Sequence, residues 1–179
     1  MKSLRLSNLS YVILIMMTAC QSNSAKIPEL VPVPKVDLGR FMGTWYVIAN
    51  IPSYLEKNCF NAIEQYDQIN DSKIKITFSC NKGSFDGKYK ENHFTGFVEK
   101  EGNGALWKVQ PFWPIKLPYI VIELAEDYSY TVIGYPSRDY LWIMAREKTM
   151  SESSYREIVE RLKTVHQYDT GKILLVPQR

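Results

Sequence analysis

The chain has 179 residues, with 22 Lys and Arg against 19 Asp and Glu and a formal net charge of +3. Two of the basic residues, Lys2 and Arg5, lie in a predicted export signal, so the exported part carries 20 basic residues against 19 acidic ones. This near-neutral balance argues against nucleic acid as a partner, because phosphate binding needs clustered positive charge. The length left after the signal suits one domain with a sizeable core.

The N-terminus is typical of an export signal at residues 1–19, in which basic residues precede a short apolar run and small residues. The run is about half as long as the ~20 residues of a membrane-spanning helix, so no permanent transmembrane segment is predicted. Met17-Thr18-Ala19-Cys20 resembles the bacterial lipoprotein box, with Met in place of the usual Leu. The resemblance implies acylation of Cys20. The alternative is a secreted protein in which Cys20 lies near the cleavage site by chance.

Gln21, rather than Asp, follows Cys20. By resemblance to Gram-negative lipoproteins, this implies lipid anchoring in the outer membrane. The predicted tether is 20–35; its stretch 22–35 contains three prolines and no hydrophobic period, which predicts a mostly extended segment that reaches about 40 Å at ~3.1 Å per residue. The domain itself is predicted at 36–179.

Short strand-like runs recur from residue 44 onward, separated by Pro, Gly and Asn-Asp turns. Eight antiparallel strands joined by short loops are typical of an up-and-down β-barrel, so the sequence predicts an all-β fold. The predicted strands are 44–50, 61–67, 73–79, 92–99, 105–110, 119–124, 129–134 and 139–146.

The segment after Arg146 has helical spacing instead. Its apolar residues predict one helix of about 15 residues, with capping boxes possible at Thr149 or Ser154. Gly171 is expected to stop the helix, and 172–176 to form a ninth strand. The apolar stripe consists of Tyr155, Ile158, Val159, Leu162 and Val165.

Cys59 and Cys80 form an even pair in an exported chain once Cys20 is acylated, so a disulfide is expected. The predicted hairpin around Asn70-Asp71-Ser72 places the two cysteines opposite each other at its open end. Such a bridge closes a loop of about 20 residues and contributes roughly 3 kcal/mol on the chain-entropy estimate. The alternative is a pair of buried free thiols.

Two motifs identify a family. Gly43-Thr44-Trp45-Tyr46 opens the first predicted strand, and Tyr140-Leu141-Trp142-Ile143-Met144-Ala145-Arg146 closes the last. Together they resemble the lipocalins, which implies an eight-stranded antiparallel barrel with a C-terminal helix packed outside and a short ninth strand. In that family Gly43, Trp45 and Arg146 would close one end of the barrel, with the guanidinium stacked on the indole. The run 138–146 resembles the bacterial branch related to apolipoprotein D, and Glu126-Asp127-Tyr128 partly matches a family loop in which the Asp, here Asp127, is expected to cap or brace the closed end.

The resemblance also implies a cup that binds a lipophilic ligand. Alternation along each strand then selects the inward face, and a slip of one residue inverts a strand's set. The same alternation places Ala49 and Glu123 inward. The residues expected to contact ligand are Glu64, Tyr66, Ile76, Phe78, Phe94, Trp107, Val109, Tyr119, Val121, Ile133, Tyr140 and Trp142.

Two features leave alternatives open. Inward Glu64 and Glu123 would have to be paired, protonated or near water, and the simpler alternative is that one or both face solvent. Phe112 and Trp113, between two prolines, could form an apolar lip, dock onto a membrane, support a homodimer or pack as an ordinary loop.

No metal-ligand spacing, nucleophile elbow or nucleotide-binding motif occurs in the sequence, so neither a metal nor a cofactor is predicted. His93 is expected to face outward, away from any haem. The leading hypothesis is a non-catalytic, membrane-anchored carrier of fatty acid or lysophospholipid. The rivals are an isomerase, de-epoxidase or hydrolase on the same scaffold, using Glu64, Tyr66 or Glu123, and a barrel filled by its own aromatic side chains.

Overall fold

The computed structural model describes residues 27–179, so the predictions for the signal, Cys20 and Gln21 lie outside the described residues. Nine strands and two α-helices follow one another from residue 38. The strands are β1 (Gly43–Ile51), β2 (Cys59–Asn70), β3 (Lys73–Lys82), β4 (Lys88–Val98), β5 (Leu106–Phe112), β6 (Ile115–Leu124), β7 (Tyr130–Gly134), β8 (Leu141–Ala145) and β9 (Leu174–Leu175). The helices are α1 (Leu38–Phe41) and α2 (Glu152–Thr164), and Lys100–Gly102 and Thr170–Lys172 form short 3-10 turns.

The sheet closes into a barrel. Strands β2 to β8 pair in sequence order, β8 pairs with β1, and β1 pairs with β2, all antiparallel. β1 starts beside α1 and ends at the β1–β2 loop (52–58), which fixes two ends of the barrel. We call the end that holds α1 the closed end and the end that holds the β1–β2 loop the open end. The predicted eight-stranded antiparallel barrel with an external helix and a ninth strand is confirmed.

Two hydrophobic clusters lie on either side of the barrel wall. The inner cluster fills the closed half of the barrel around Phe41, Trp45 and Trp107. The outer cluster lies between the wall and α2, where Ile158 and Leu162 are buried. One amphipathic helix therefore covers one face of a closed sheet, as its apolar stripe requires.

Bulges in β1 and β6 change which residues face inward. Register shifts occur between Val47 and Ala49 and between Val121 and Glu123. The inserted residue inverts the alternation beyond it. The prediction that Ala49 and Glu123 point into the barrel is therefore wrong, because Ala49 joins the outer cluster and Glu123 bonds to α2.

The start of α2 also differs from the prediction. Ser151 is the N-cap, and its side chain accepts a hydrogen bond from the Ser154 amide, so neither Thr149 nor Ser154 caps the helix. The helix ends at Thr164, well before Gly171, and Val165 is 66% exposed rather than part of the buried stripe.

Cys59 and Cys80 are joined by a disulfide, with Cα atoms 5.5 Å apart, so the predicted bridge is confirmed. The register is shifted from the expected one, because Cys59 lies opposite Lys82 rather than Cys80. The shift is already present nearer the turn, where Glu64 lies opposite Phe78, and the bonded cysteines are diagonal neighbours on one face.

The second half of the predicted tether packs on the barrel. The Val33 amide donates to the Val121 carbonyl at 2.9 Å, and Leu30 is buried against the outer cluster. Leu30 needs a glycine beneath it, since a Cβ built on Gly134 would lie 2.8 Å from the Leu30 side chain. Residues 27–35 therefore lie against the barrel wall in the described part of the chain.

Candidate ligand-binding site

The closed end is sealed by the predicted pair of residues. The Arg146 guanidinium carbon lies 3.8 Å from the centre of the Trp45 ring. The guanidinium donates to the carbonyls of Arg40, Phe41, Met42 and Thr44 at 2.7–3.0 Å. These carbonyls belong to α1, to the residue after it and to the start of β1, so one cation satisfies acceptors that the short helix leaves free.

Gly43 gives the chain room for this seal. Its φ of +93° lies in the left-handed region that favours glycine, and a Cβ there would come within 3.5 Å of Arg146 Nη1. The Trp45 indole donates to the Phe41 carbonyl at 2.8 Å, which ties β1 to α1. The closed end is therefore a folded plug and not a second opening.

The loop 125–129 braces the same end, through a different residue from the one expected. Asp127 accepts a hydrogen bond from the Ser129 amide within its own loop. The link to the rest of the closed end comes from Tyr128, whose hydroxyl accepts from the Asp37 amide at 2.8 Å and whose ring lies 4.0 Å below the Arg40 guanidinium.

A cavity of about 380 Å³ occupies the open half of the barrel. Most of its lining is aliphatic or aromatic, and among the described residues no Lys, Arg or His lines it. Eight of the twelve residues predicted from the sequence lie in this lining: Glu64, Ile76, Phe78, Phe94, Val109, Tyr119, Tyr140 and Trp142.

The other four residues, Tyr66, Trp107, Val121 and Ile133, lie outside that lining, at most 1% exposed in the inner cluster. The Trp107 ring stacks on Tyr119 at 5.0 Å between centroids, and Phe41 packs edge-on against Trp107 at 5.4 Å. The closed half of the barrel is thus filled by the protein's own aromatic side chains, while the open half is hollow.

The cavity floor carries a buried acid and two phenols. The Tyr66 hydroxyl donates to Glu64 Oε2, and the hydroxyls of Tyr66 and Tyr119 lie 2.6 Å apart. Burial, opposed in part by the Tyr66 hydrogen bond, raises the pKa of Glu64 to about 8. Glu64 is therefore mostly protonated at neutral pH, and the floor is polar without carrying a full charge.

Glu56 is a second buried acid that the sequence pattern did not indicate. It lies in the β1–β2 loop, where its carboxylate accepts from the Trp142 indole and from the Ser53 amide at 2.9 Å. The side chain is 7% exposed and reaches the cavity. Loop residues follow no alternation, so no periodic signal assigns this carboxylate to the cup.

Glu123 lies outside the barrel, against α2. It accepts from Arg161 at 2.7 Å, and its carboxylate lies 3.3 Å from His166 Nε2. Burial raises the pKa of Glu123, but the hydrogen bonds from His166 and Arg161 outweigh it, so the pKa lies below its ordinary value. This carboxylate joins the helix to the wall and is remote from the cavity.

His93 faces outward as expected, with Nε2 3.2 Å from Glu91 on the barrel surface. Within residues 27–179 there is no group of three or more His, Cys, Asp or Glu residues that could hold a metal ion. In the same part of the chain, no helix is long and apolar enough to cross a membrane.

The family described as Lipocalin-like domain matches residues 36–178. This match covers the whole barrel, the Trp45–Arg146 seal and α2. The chain belongs to the lipocalin family. Its barrel therefore presents a cavity for a hydrophobic ligand, in the position that defines lipocalins as binding proteins.

Relatives extend this match to full-length proteins. Outer membrane lipoprotein Blc of Vibrio cholerae is 27% identical over 172 residues, which cover 94% of this chain and 98% of that lipocalin. Temperature-induced lipocalin-1 of Arabidopsis thaliana is 32% identical over 157 residues, covering 84% and 83% of the two chains. Among solved structures, lobster apocrustacyanin A1 has a TM-score of 0.63 at 14% identity over 86% of this chain and 94% of that one, a likeness of fold alone.

Proposed function

We propose that this lipocalin is a non-catalytic lipid carrier that holds one acyl chain in its cavity while anchored to the outer membrane through Cys20. The observation that carries the proposal is the apolar cavity of about 380 Å³, open at one end and sealed at the other by Arg146. Its volume falls in the range of roughly 300–1,000 Å³ usual for small-molecule sites. Each methylene buried from water contributes about 0.8 kcal/mol, so an acyl tail binds without any covalent chemistry.

The polar groups of the cavity indicate the head group. Glu64 and Glu56 are the acids of the lining, and no cationic side chain among residues 27–179 opposes them there. An ionised fatty acid would place a third carboxyl beside them, whereas an ammonium-bearing lysophospholipid would place a cation near Glu56 at the mouth. We therefore propose lysophospholipid ahead of free fatty acid.

The anchoring part of the proposal rests on two supports. One is the lipoprotein-like sequence at Cys20, and the other is the likeness to Outer membrane lipoprotein Blc of Vibrio cholerae. Mass spectrometry of the protein purified from membranes tests it. An acylated Cys20 at the new N-terminus is the expected result, and an unmodified Cys20 would contradict it.

Native mass spectrometry and displacement of a fluorescent fatty acid by lysophosphatidylethanolamine test the carrier. Val109→Trp should fill the cavity and lower the affinity for the probe at least ten-fold, because Val109 lines the hollow. Lys108→Trp is the matched control, since Lys108 is the residue before Val109 on the same strand and its side chain is exposed and points outward. Equal probe binding by all three proteins would contradict the assignment of the cavity as the binding site.

One observation favours an enzyme as second candidate. Glu64 has a pKa of about 8 and lies in the cavity beside two phenols, which is the setting of a general acid. Incubation with lysophospholipid, followed by analysis of the lipid, separates the two functions. A carrier returns the lipid unchanged and Glu64→Gln still binds it, whereas an enzyme yields product that Glu64→Gln abolishes.

A further inference from the structure

The N-terminal segment of the described chain runs from the closed end of the barrel to the open end. At the closed end the Val36 amide donates to the Asn103 carbonyl at 2.9 Å. Further up, Leu30 packs on Gly134, the last residue of β7. At the open end Arg138, in the β7–β8 loop (135–140), donates to the Pro28 carbonyl at 2.7 Å. Residue 27 therefore leaves the barrel at the rim of the cavity.

This exit fixes the side on which an anchor at Cys20 would lie. Residues 20–26 are seven residues, which span at most about 25 Å even when fully extended. Arg138 holds the exit firmly, since it is 8% exposed and also donates to the carbonyls of His166 and Pro136. A lipid on Cys20 would therefore be tethered from the cavity mouth rather than from the closed end.

The open end carries a cluster of exposed apolar side chains, which we call the lip. Tyr54 is 86% exposed and Trp113 is 85% exposed, on the β1–β2 loop and the β5–β6 turn respectively. At the closed end, within residues 27–179, the large hydrophobic side chain left exposed is Ile69. The lip consists of Tyr54, Leu55, Phe112, Trp113, Ile115 and Leu117.

A groove beside the lip adds positive charge. It is lined by Lys57, Lys82 and Lys90 with no acidic side chain among its described lining residues. The Lys82 ammonium donates to the carbonyls of Leu55 and Lys57 at 2.6 and 2.7 Å, which holds one cation at the base of the β1–β2 loop. Lysines next to exposed aromatic side chains match the phosphate and acyl regions of a bilayer surface.

We infer that the lip and the lysine groove dock onto an anionic lipid bilayer, so that the cavity opens toward the membrane. The inference rests on the proposed anchoring at Cys20 for its orientation, and on the exposed lip and the lysines for its partner. In this orientation an acyl chain passes between the bilayer and the cavity over the apolar surface of the lip, without crossing open water. A carrier facing the other way would have to cross water at every transfer.

The test uses the exported part, residues 20–179, carrying Cys20→Ser, so that neither the apolar run of the signal nor an acyl group is present and only the protein surface can hold it on vesicles. Binding to vesicles of phosphatidylethanolamine and phosphatidylglycerol is measured by co-sedimentation. Trp113→Ser with Ile115→Ser should weaken binding at least ten-fold, and neither residue lines the cavity. The matched control is Leu174→Ser with Leu175→Ser, an equally exposed apolar pair on the barrel wall, which should change binding less than two-fold.

Two further measurements test the lysine groove and the cavity. Lys57→Gln with Lys90→Gln should remove the preference for phosphatidylglycerol over phosphatidylcholine vesicles. Titration with a fluorescent fatty acid, in the absence of vesicles, should give the same affinity for the lip variant as for the parent. A lip variant that binds vesicles like the parent, or one that loses a dimer in analytical ultracentrifugation instead, would overturn the inference. If the parent itself does not bind fatty acid, the proposed carrier function is overturned, whatever the result with vesicles.

Discussion

Arg146 lies over Trp45 at 3.8 Å and donates to four backbone carbonyls at the closed end of the barrel. The pair joins the last strand of the barrel to the first strand and to α1, which lie about a hundred residues away in sequence. A cation placed there satisfies the acceptors at the end of α1 and stacks on an indole that is fully buried.

Arg146→Met should lower the free energy of unfolding by about 3 kcal/mol, because three part-buried carbonyls and one exposed carbonyl lose a charged donor at once. Arg146→Lys should recover only part of this loss, since an ammonium cannot reproduce the planar fork. Urea unfolding followed by tryptophan fluorescence measures both. Arg156→Gln, at an exposed ion pair with Glu152 on α2, is the control and should change stability by less than about 0.5 kcal/mol. Equal effects at the two positions would contradict a special role for Arg146.

The sequence was sufficient to predict the barrel, its seal and its disulfide. The seal followed from the family resemblance that Gly43, Trp45 and Arg146 carry, and the disulfide followed from two cysteines that flank one predicted hairpin. Eight of the seventeen residues that line the cavity were predicted too, because alternation is regular from Ile63 onward in β2 and along β3 and β4.

The errors occur where the backbone departs from regular alternation. One inserted residue in β6 points Glu123 toward α2 instead of into the barrel. One inserted residue in β1 points Ala49 into the outer cluster. Four residues face inward as predicted but lie outside the cavity lining: Tyr66, Trp107, Val121 and Ile133. Strand alternation predicts which way a side chain points, but not how far along the barrel axis it lies. The position of Glu56 at the cavity could not be predicted, because it lies on a loop, where side chains follow no regular alternation.

Replacing Cys59 and Cys80 together by Ala should destabilise the protein by about 3 kcal/mol, since the bridge closes a loop of 21 residues in the unfolded chain. The expected result is a lower urea midpoint with fatty-acid binding retained in the folded state, because neither cysteine lines the cavity. Adding reductant to the parent should reproduce the shift, and reductant should leave the double variant unchanged. A double variant as stable as the parent would show that the loop is already restrained by the β2–β3 pairing.

Glu123→Gln should lower the free energy of unfolding by about 2 kcal/mol at pH 7, because Arg161 loses its charged acceptor beneath α2. The pKa of Glu123 is lower in the folded state, so its contribution is present above the unfolded value of about 4.5. That contribution is lost as the pH falls through the folded pKa, and the two proteins should then unfold alike. Thermal unfolding in steps from pH 7 to acid measures this: the difference between the two proteins should shrink once the pH falls below 4.5, and a difference that grows on acidification would contradict the assignment.

Glu64 should give the opposite pH dependence. Its pKa rises from 4.5 to about 8 on folding, so between these values the folded state binds the proton more tightly than the unfolded state. Stability from this group is fully present below pH 4.5 and is lost as the pH rises toward 8, by about 1.4 kcal/mol per pH unit. Glu64→Gln keeps a neutral side chain at the cavity floor, so it should lose this slope and exceed the parent in stability at pH 8.

Urea unfolding of the parent and of Glu64→Gln at pH 5, 6, 7 and 8 measures the difference in slope. Glu56→Gln is the comparison and should keep most of the slope, because Glu56 is the smallest of the causes that shift the pKa of Glu64 and accepts from Trp142 rather than from a phenol. Binding of a fluorescent fatty acid should weaken in the parent above pH 8, as the ionised Glu64 then faces the acyl tail, and should stay constant in Glu64→Gln. Parallel pH profiles for parent and Glu64→Gln would show that this carboxyl is solvated, and that the cavity floor holds water.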